Sequence, residues 1–374
     1  ARELDPTWVE PEFDDSTWVA ATVLKATHDG AFGESRPPVD PYGAMLPRGI
    51  GKLGGSRVTA PSVTLQTAPP VSDLPDHPAQ RLVQQLRKAG DKQTVRLPIT
   101  VDRSEDAVTL LTVNFGRIVA GHVELEVDAP SGVRLDLFYQ ESADYDAIAG
   151  PVDSAPRSSA SYVTRGTADH YKAVDINGLR LIFLTIPAGA GEVTVRDIAV
   201  SEYHYPFTGE AAFSSSDPEL DRLYQAGIRT TEMNSFDAFT DCPTREQRAW
   251  VGDGVVHQMV HLVANEDWRL ARNYVTLGAS PRPDGMLPMT VTGEIEYQAG
   301  YTIPDWALHW IHGVWNQYRH DGDRTATLRL LPVVERVLIE LDGVTQEIGG
   351  LADTARRNLR IAATPLVSSQ LLPR

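Results

Sequence analysis

The 374-residue sequence has a single cysteine, Cys242. That excludes an internal disulfide framework and any zinc site built from several thiolates. Basic residues are scarce as well: 34 Lys and Arg stand against 50 Asp and Glu, for a net charge of −16. Such a chain lacks the basic patches that nucleic acid or an anionic membrane requires, so neither is expected as a partner. No apolar run approaches the roughly 20 residues of a membrane-spanning helix. No basic-plus-apolar segment of the signal-peptide kind opens the given sequence, and the choice between cytoplasm and secretion stays open. What remains is ordinary for a soluble globular protein, 42% hydrophobic and 22% charged, and long enough for two or three domains with sizeable cores.

Against this plain background one stretch stands out, Asp241-Cys-Pro-Thr-Arg-Glu-Gln-Arg-Ala-Trp-Val-Gly-Asp253. It gathers two Asp, one Glu, two Arg, one Trp and the only Cys, and five of the seven Trp lie in it or after it. Flat rings beside a few carboxylates suit a sugar, whose apolar faces stack and whose hydroxyls take charged or bidentate hydrogen bonds. The same composition also fits a solvated loop between helices that carries an Arg–Asp ion network. A Glu beside a Trp and other carboxylates can be kept protonated by desolvation and like charge, as a general acid requires, while Arg245 and Arg248 pull the other way.

These thirteen residues resemble the signature of the bacterial α-L-rhamnosidases, glycoside hydrolase family 78, which runs Asp-Cys-Pro-x-Arg, one or two acids, then Trp or Tyr, x, Gly-Asp. The resemblance implies hydrolysis of terminal α-L-rhamnosyl linkages with inversion, on a rhamnosylated glycan or glycoside. It implies Glu246 as the general acid, Asp241, Arg245 and Asp253 as holders of rhamnose hydroxyls, and Trp250 as an aromatic wall of the subsite. The sequence departs from many members at 247–249, Gln-Arg-Ala where they have Arg-Leu-Gly.

In chain order, residues 1–60 read as the end of a β-sandwich (Trp8 to Trp18, then 19–24) and a Pro-rich linker over 37–47, which resemble the family's N-terminal segment. A Pro-studded loop follows, then a short helix over 79–88. From 94 to 205 the period is two, with strands predicted over 94–101, 108–113, 118–127, 133–139, 179–186 and 193–203. The alternation of 123–128 predicts a strand with one wet face. An antiparallel β-sandwich is the expectation. The spacing of Gly116 and Gly121 superficially suggests a phosphate loop, but Lys-Ser/Thr is missing and strands flank it.

At Ser214 the period changes again. Ser216-Asp217-Pro218 is a helix start, and further helices are predicted over 254–264, 267–277, 304–320 and 325–341. With the irregular excursion 281–301 they suit the first part of an α/α six-pair toroid, the family's catalytic barrel. The expected division is 1–92, 93–206 and 207–374.

Other constellations carry less. His257 and His261 share a helix face at zinc-protease spacing, but Gln258 stands where that motif needs Glu, so packing roles are expected and no metal or cofactor. Asp305 after Pro304 is an ordinary first-turn acid; the family places an Asp and aromatics near here, which favours Asp305 and Trp306 in sugar binding. His309 and Trp310 are assigned to the core. Cys242 has no His near in sequence and is not expected to be a nucleophile. An inverting enzyme also needs a carboxylate base; the family's base is a Glu beyond Arg374, with Glu294, Glu296 or Asp305 as substitutes. Three readings follow: part of an α-L-rhamnosidase, a rhamnose-binding relative without catalysis, or an unrelated structural protein. An incomplete ring would expose Leu328, Leu331, Val334, Leu338 and Leu341, favouring self-association or completion by a second polypeptide.

Overall fold

A computed structural model of the chain describes residues 6–20, 49–69, 92–104, 106–141, 158–209, 211–244, 246–282, 285–290 and 303–354. Two compact units divide the chain. In the smaller one, the described residues hold a 3-10 turn, Pro6–Val9, and an edge-on contact between Phe13 and Trp18. The strand expected over 19–24 lies almost wholly outside the described residues, as do the linker 37–47 and the helix 79–88.

Among the described residues the larger unit holds an antiparallel sheet of ten strands followed by five helices. The strands are β1 (Arg57–Thr59), β2 (Ser62–Ala68), β3 (Gln93–Val95), β4 (Ile99–Asp102) and β5 (Val108–Asp128). β6 (Arg134–Gln140), β7 (Ser159–Val163), β8 (Asp169–Lys172), β9 (Asn177–Ile186) and β10 (Glu192–Glu202) complete it. β5 is the spine. Its first half pairs with β2, its second with β8 and β10, and β9 runs along both, with a register shift between Asn114 and Val119. Gly116 sits in that shift at φ 75°, its N–H on the Asn114 side chain. The two glycines therefore belong to a bulged strand, which needs a residue tolerant of positive φ.

Two expectations change here. The segments 108–113 and 118–127 are one strand, since the bulge bends the ladder without ending it. Residues 62–68, placed in a loop because of the surrounding prolines, form β2; the prolines flank the strand and leave its donors intact. The wet face of 123–128 is also drier than alternation suggests. Glu124 is buried, with Arg57 at 2.9 Å, Lys172 at 3.0 Å and Ser201 at 2.6 Å. Burial pushes its carboxyl up, but these three donors outweigh it and bring the pKa to about 2.

The helices are α1 (Pro218–Met233), α2 (Val251–Ala264), α3 (Arg269–Gly278), α4 (Pro304–Asp321) and α5 (Arg324–Thr354). Asp217 caps α1 by accepting the Glu219 N–H, with Pro218 in the first turn as expected. α4 starts on Pro304 and stops at Gly322, which turns left-handed at φ 65°. α5 runs past 341 to Thr354, so the first part of the tail continues the helix. The helical core gathers Phe239, Val251, Val255, Tyr274, Met286, Leu287, Trp310 and Val337. Trp310 is fully buried as expected, its indole N–H on the Val275 carbonyl at 3.0 Å. Leu328, Leu331 and Leu338 are exposed, whereas Val334 and Leu341 pack on this core. Among the described residues no helix is long and apolar enough to cross a membrane.

Sheet and helices meet at a charged joint. Arg229 of α1 bonds the Glu202 carboxylate at the end of β10, reaches Glu232 at 2.7 Å and donates to the Ile118 carbonyl of β5 at 3.1 Å. His204 lies beside it, its Nε2 3.9 Å from Glu202 and 3.8 Å from Glu232, its Nδ1 3.1 Å from the Tyr205 carbonyl.

Candidate active site

The stretch 241–253 forms the connection into α2 and closes on itself at its base. Asp241 donates its N–H to the Arg248 carbonyl at 2.9 Å, and its Oδ1 accepts the Arg248 N–H at 3.0 Å. Within the loop the Glu246 N–H points to Cys242 Sγ at 3.4 Å, so the lone thiol braces a turn. Further on, Trp250 bridges Thr290, and the Val251 N–H donates to the Met289 carbonyl at 2.9 Å. The Met289 carbonyl thus gives an acceptor to the first N–H of α2, which has no side-chain cap.

The central contact joins two of the expected residues. The Trp250 indole N–H donates to Glu246 Oε2 at 2.8 Å, a bond that fixes the carboxyl group against the ring. Trp306, early in α4, meets Trp250 edge-on with ring centroids 5.2 Å apart. Trp306 can lie there because Gly252 has no side chain: a Cβ at that position would run into the indole ring. Asp253 follows in the first turn of α2, half-buried. Burial raises its pKa, and the negative charges of Asp241 and, more weakly, Glu246 push the same way, against a hydrogen bond from its own backbone N–H and a smaller effect from His309. Three carboxylates thus share one electrostatic neighbourhood with two indoles.

Arg245 lies outside the described residues, as do Glu294 and Glu296. Asp305 occupies the first turn of α4 beside Trp306, half-buried. His309, assigned to the core from sequence, is a correction: it is only half-buried and lies close enough to Asp253 to lower its pKa slightly. Asp305, Trp306 and His309 fall at helical spacing along one stretch of α4, a pattern that could have found it. His257 is held neutral, its pKa lowered to about 4 by burial despite the nearby Asp241. His261 is fully buried against Tyr205, Phe207 and Phe239, with Nε2 2.9 Å from the Asp267 carbonyl. Among the described residues no group of three or more His, Cys, Asp or Glu side chains is placed to hold a metal ion.

Acceptors for hydroxyls, a carboxyl carried above its ordinary range and two indoles packed edge-on are groups that suit a polyol. Solved structures agree at the level of fold. The glycoside hydrolase family 78 rhamnosidase of Bacillus sp. GL1 matches with a TM-score of 0.59 and 23% identity, over 66% of this chain and 25% of that one. The rhamnosidase of Klebsiella oxytoca, solved with rhamnose bound, matches with a TM-score of 0.59 and 17% identity, over 75% of this chain and 56% of that one. The α-L-rhamnosidase of Streptomyces avermitilis, complexed with L-rhamnose, gives 0.58 and 18%, over 80% of this chain and 25% of that one. The fold is therefore that of a class of glycoside hydrolases, and the chain spans between a quarter and rather more than half the length of these three.

The family model narrows the class. Residues 208–356, which hold all five helices and the whole of 241–253, match the bacterial alpha-L-rhamnosidase 6 hairpin glycosidase domain, and the resemblance read from the signature is borne out. Comparison with curated proteins gives no match.

Proposed function

We propose that this chain forms part of an inverting α-L-rhamnosidase in which Glu246 is the general acid. The observation that carries the reading is the Trp250–Glu246 bond at 2.8 Å, inside the matched segment and beside Asp253 and Asp241. The indole holds one carboxylate oxygen, which orients the group for delivering a proton to the glycosidic oxygen. Asp241, Asp253 and Arg245 take the hydroxyls of the terminal rhamnose, Trp250 and Trp306 line its apolar face, and Asp305 closes the wall at α4. His309, beside Asp253, joins them as a neighbour of the sugar.

The architecture proposed with this chemistry is a β-sandwich over 93–206 beside the first part of an α/α toroid over 207–374, with 1–92 ending an N-terminal sandwich and its linker. The water-activating base, on the family's pattern, comes from a later part of a rhamnosidase than the segment matched here. The test compares the native protein with Glu246→Gln on two substrate classes. Unactivated rhamnosides should lose about 10²- to 10⁴-fold in turnover, and aryl rhamnosides with good leaving groups far less, because they need little proton donation. An equal loss on both classes would remove Glu246 from the acid's role.

A further inference from the structure

Gln247 has no part in the roles above, yet its backbone is unusual. It sits at φ 53°, a left-handed conformation rare for a side-chain-bearing residue outside Asn and Asp. Such a conformation persists only where its surroundings over-determine it. Here the surroundings are explicit. Gln247 Nε2 donates to two carbonyls, those of Ile176 and Pro243, both at 2.8 Å. Ile176 belongs to the turn that enters β9, so one amide ties the loop of Glu246 to the sheet. A second tie lies alongside: the Gly178 N–H donates to the same Pro243 carbonyl at 2.8 Å. Gly178 is required at that point, because a Cβ would stand 2.7 Å from the Pro243 ring. Thr244 adds a third tie, its hydroxyl on the Glu141 carboxylate just after β6.

We infer that Gln247 is a positioning residue: its side-chain amide, clamped between the sheet and Pro243, sets the direction in which Glu246 presents its carboxylate to Trp250. The inference rests on the reading of Glu246 as the acid for its functional meaning, but the geometry it concerns is independent of that reading. A Gln fits the task where Glu or Lys would not. Two carbonyl acceptors need a donor with two N–H bonds and no charge. The carbonyls would repel a carboxylate, and an ammonium would be drawn from water into a half-buried turn. The turn before β9 thus acts as the mould for the loop, and the sheet shares in forming the site.

The seven indole N–H groups of the 15N-labelled 374-residue chain provide the measurement. The Trp250 signal, identified with Trp250→Phe, reports on the bond to Glu246 and should move in Glu246→Gln. Trp310, buried on the Val275 carbonyl, serves as the control for folding. Gln247→Gly keeps the left-handed backbone accessible while deleting the amide. Gly178→Ala presses on Pro243 from the sheet side. Both should move the Trp250 resonance while Trp310 stays in place. An unchanged Trp250 in Gln247→Gly overturns the inference. So does a collapse of Trp310 in that variant, which would make Gln247 a general support of the fold. The two ideas separate on substrate: if Trp250 responds as stated but Glu246→Gln spares unactivated rhamnosides, Gln247 positions a carboxylate that is not the acid.

Discussion

Replacing Glu202 by Gln tests the joint between sheet and helices. Glu202 is buried at the end of β10, bonded to Arg229 of α1, with His204 and Ser56 Oγ beside its other oxygen. Burial by itself would raise its pKa; the bonds to His204 and Arg229 overcome that and lower it from 4.5 to about 2. At about 1.4 kcal/mol for each pH unit, this difference corresponds to about 3 kcal/mol of stability. Because the folded value is depressed, that contribution is complete above 4.5 and fades as pH falls towards 2. His204 has the opposite sign. Burial lowers its pKa, but Glu202, the Tyr205 carbonyl and Glu232 outweigh burial and raise it above 6.5. Its share is therefore complete below 6.5 and lost as pH rises through the raised value. Glu202→Gln should lower the urea-unfolding free energy by about 3 kcal/mol at pH near 7, where Arg229 loses one of its two charged partners and keeps Glu232. The gap should close by about pH 2, and the alkaline loss of stability should begin at lower pH than in the native chain. Circular dichroism at three pH values reads all of this. A deficit of the same size at about pH 2 and about pH 7 would refute the electrostatic account, and no deficit at all would mean the joint bears no net load.

Two further outcomes follow from the site. Asp241→Asn should bring the Asp253 carboxyl down towards its ordinary 3.8 without reaching it, since burial is the larger cause of its elevation; carboxyl carbon titration measures this, and an unmoved Asp253 would show that the two charges are not coupled. Tyr274→Phe deletes a buried hydroxyl that donates to the Val251 carbonyl at 2.7 Å, and should cost about 1 to 3 kcal/mol in thermal unfolding; a neutral substitution would mean that this bond does not hold the start of α2.

The signature 241–253 could be read without coordinates because its chemistry is local: carboxylates, an indole and a proline fall within thirteen residues. The five helices and most strands were legible for a related reason, since period and capping residues act over a few positions, as Asp217 and Pro218 do at α1. β2 was missed because proline is a strong local signal, whereas the pairing of 62–68 with β5 joins residues far apart in sequence, from Ser62 with Asn114 to Ala68 with Val108. His309 went to the core because apolar neighbours in sequence say nothing of which carboxylate lies across the gap. Gln247 could not be read at all: its left-handed backbone is imposed by Ile176 and Pro243, one of them 71 residues away. The sequence determined which groups the site possesses and the local structure that carries them. Only the tertiary structure decided how they face one another, because direction is fixed by bonds between segments that composition and periodicity do not connect.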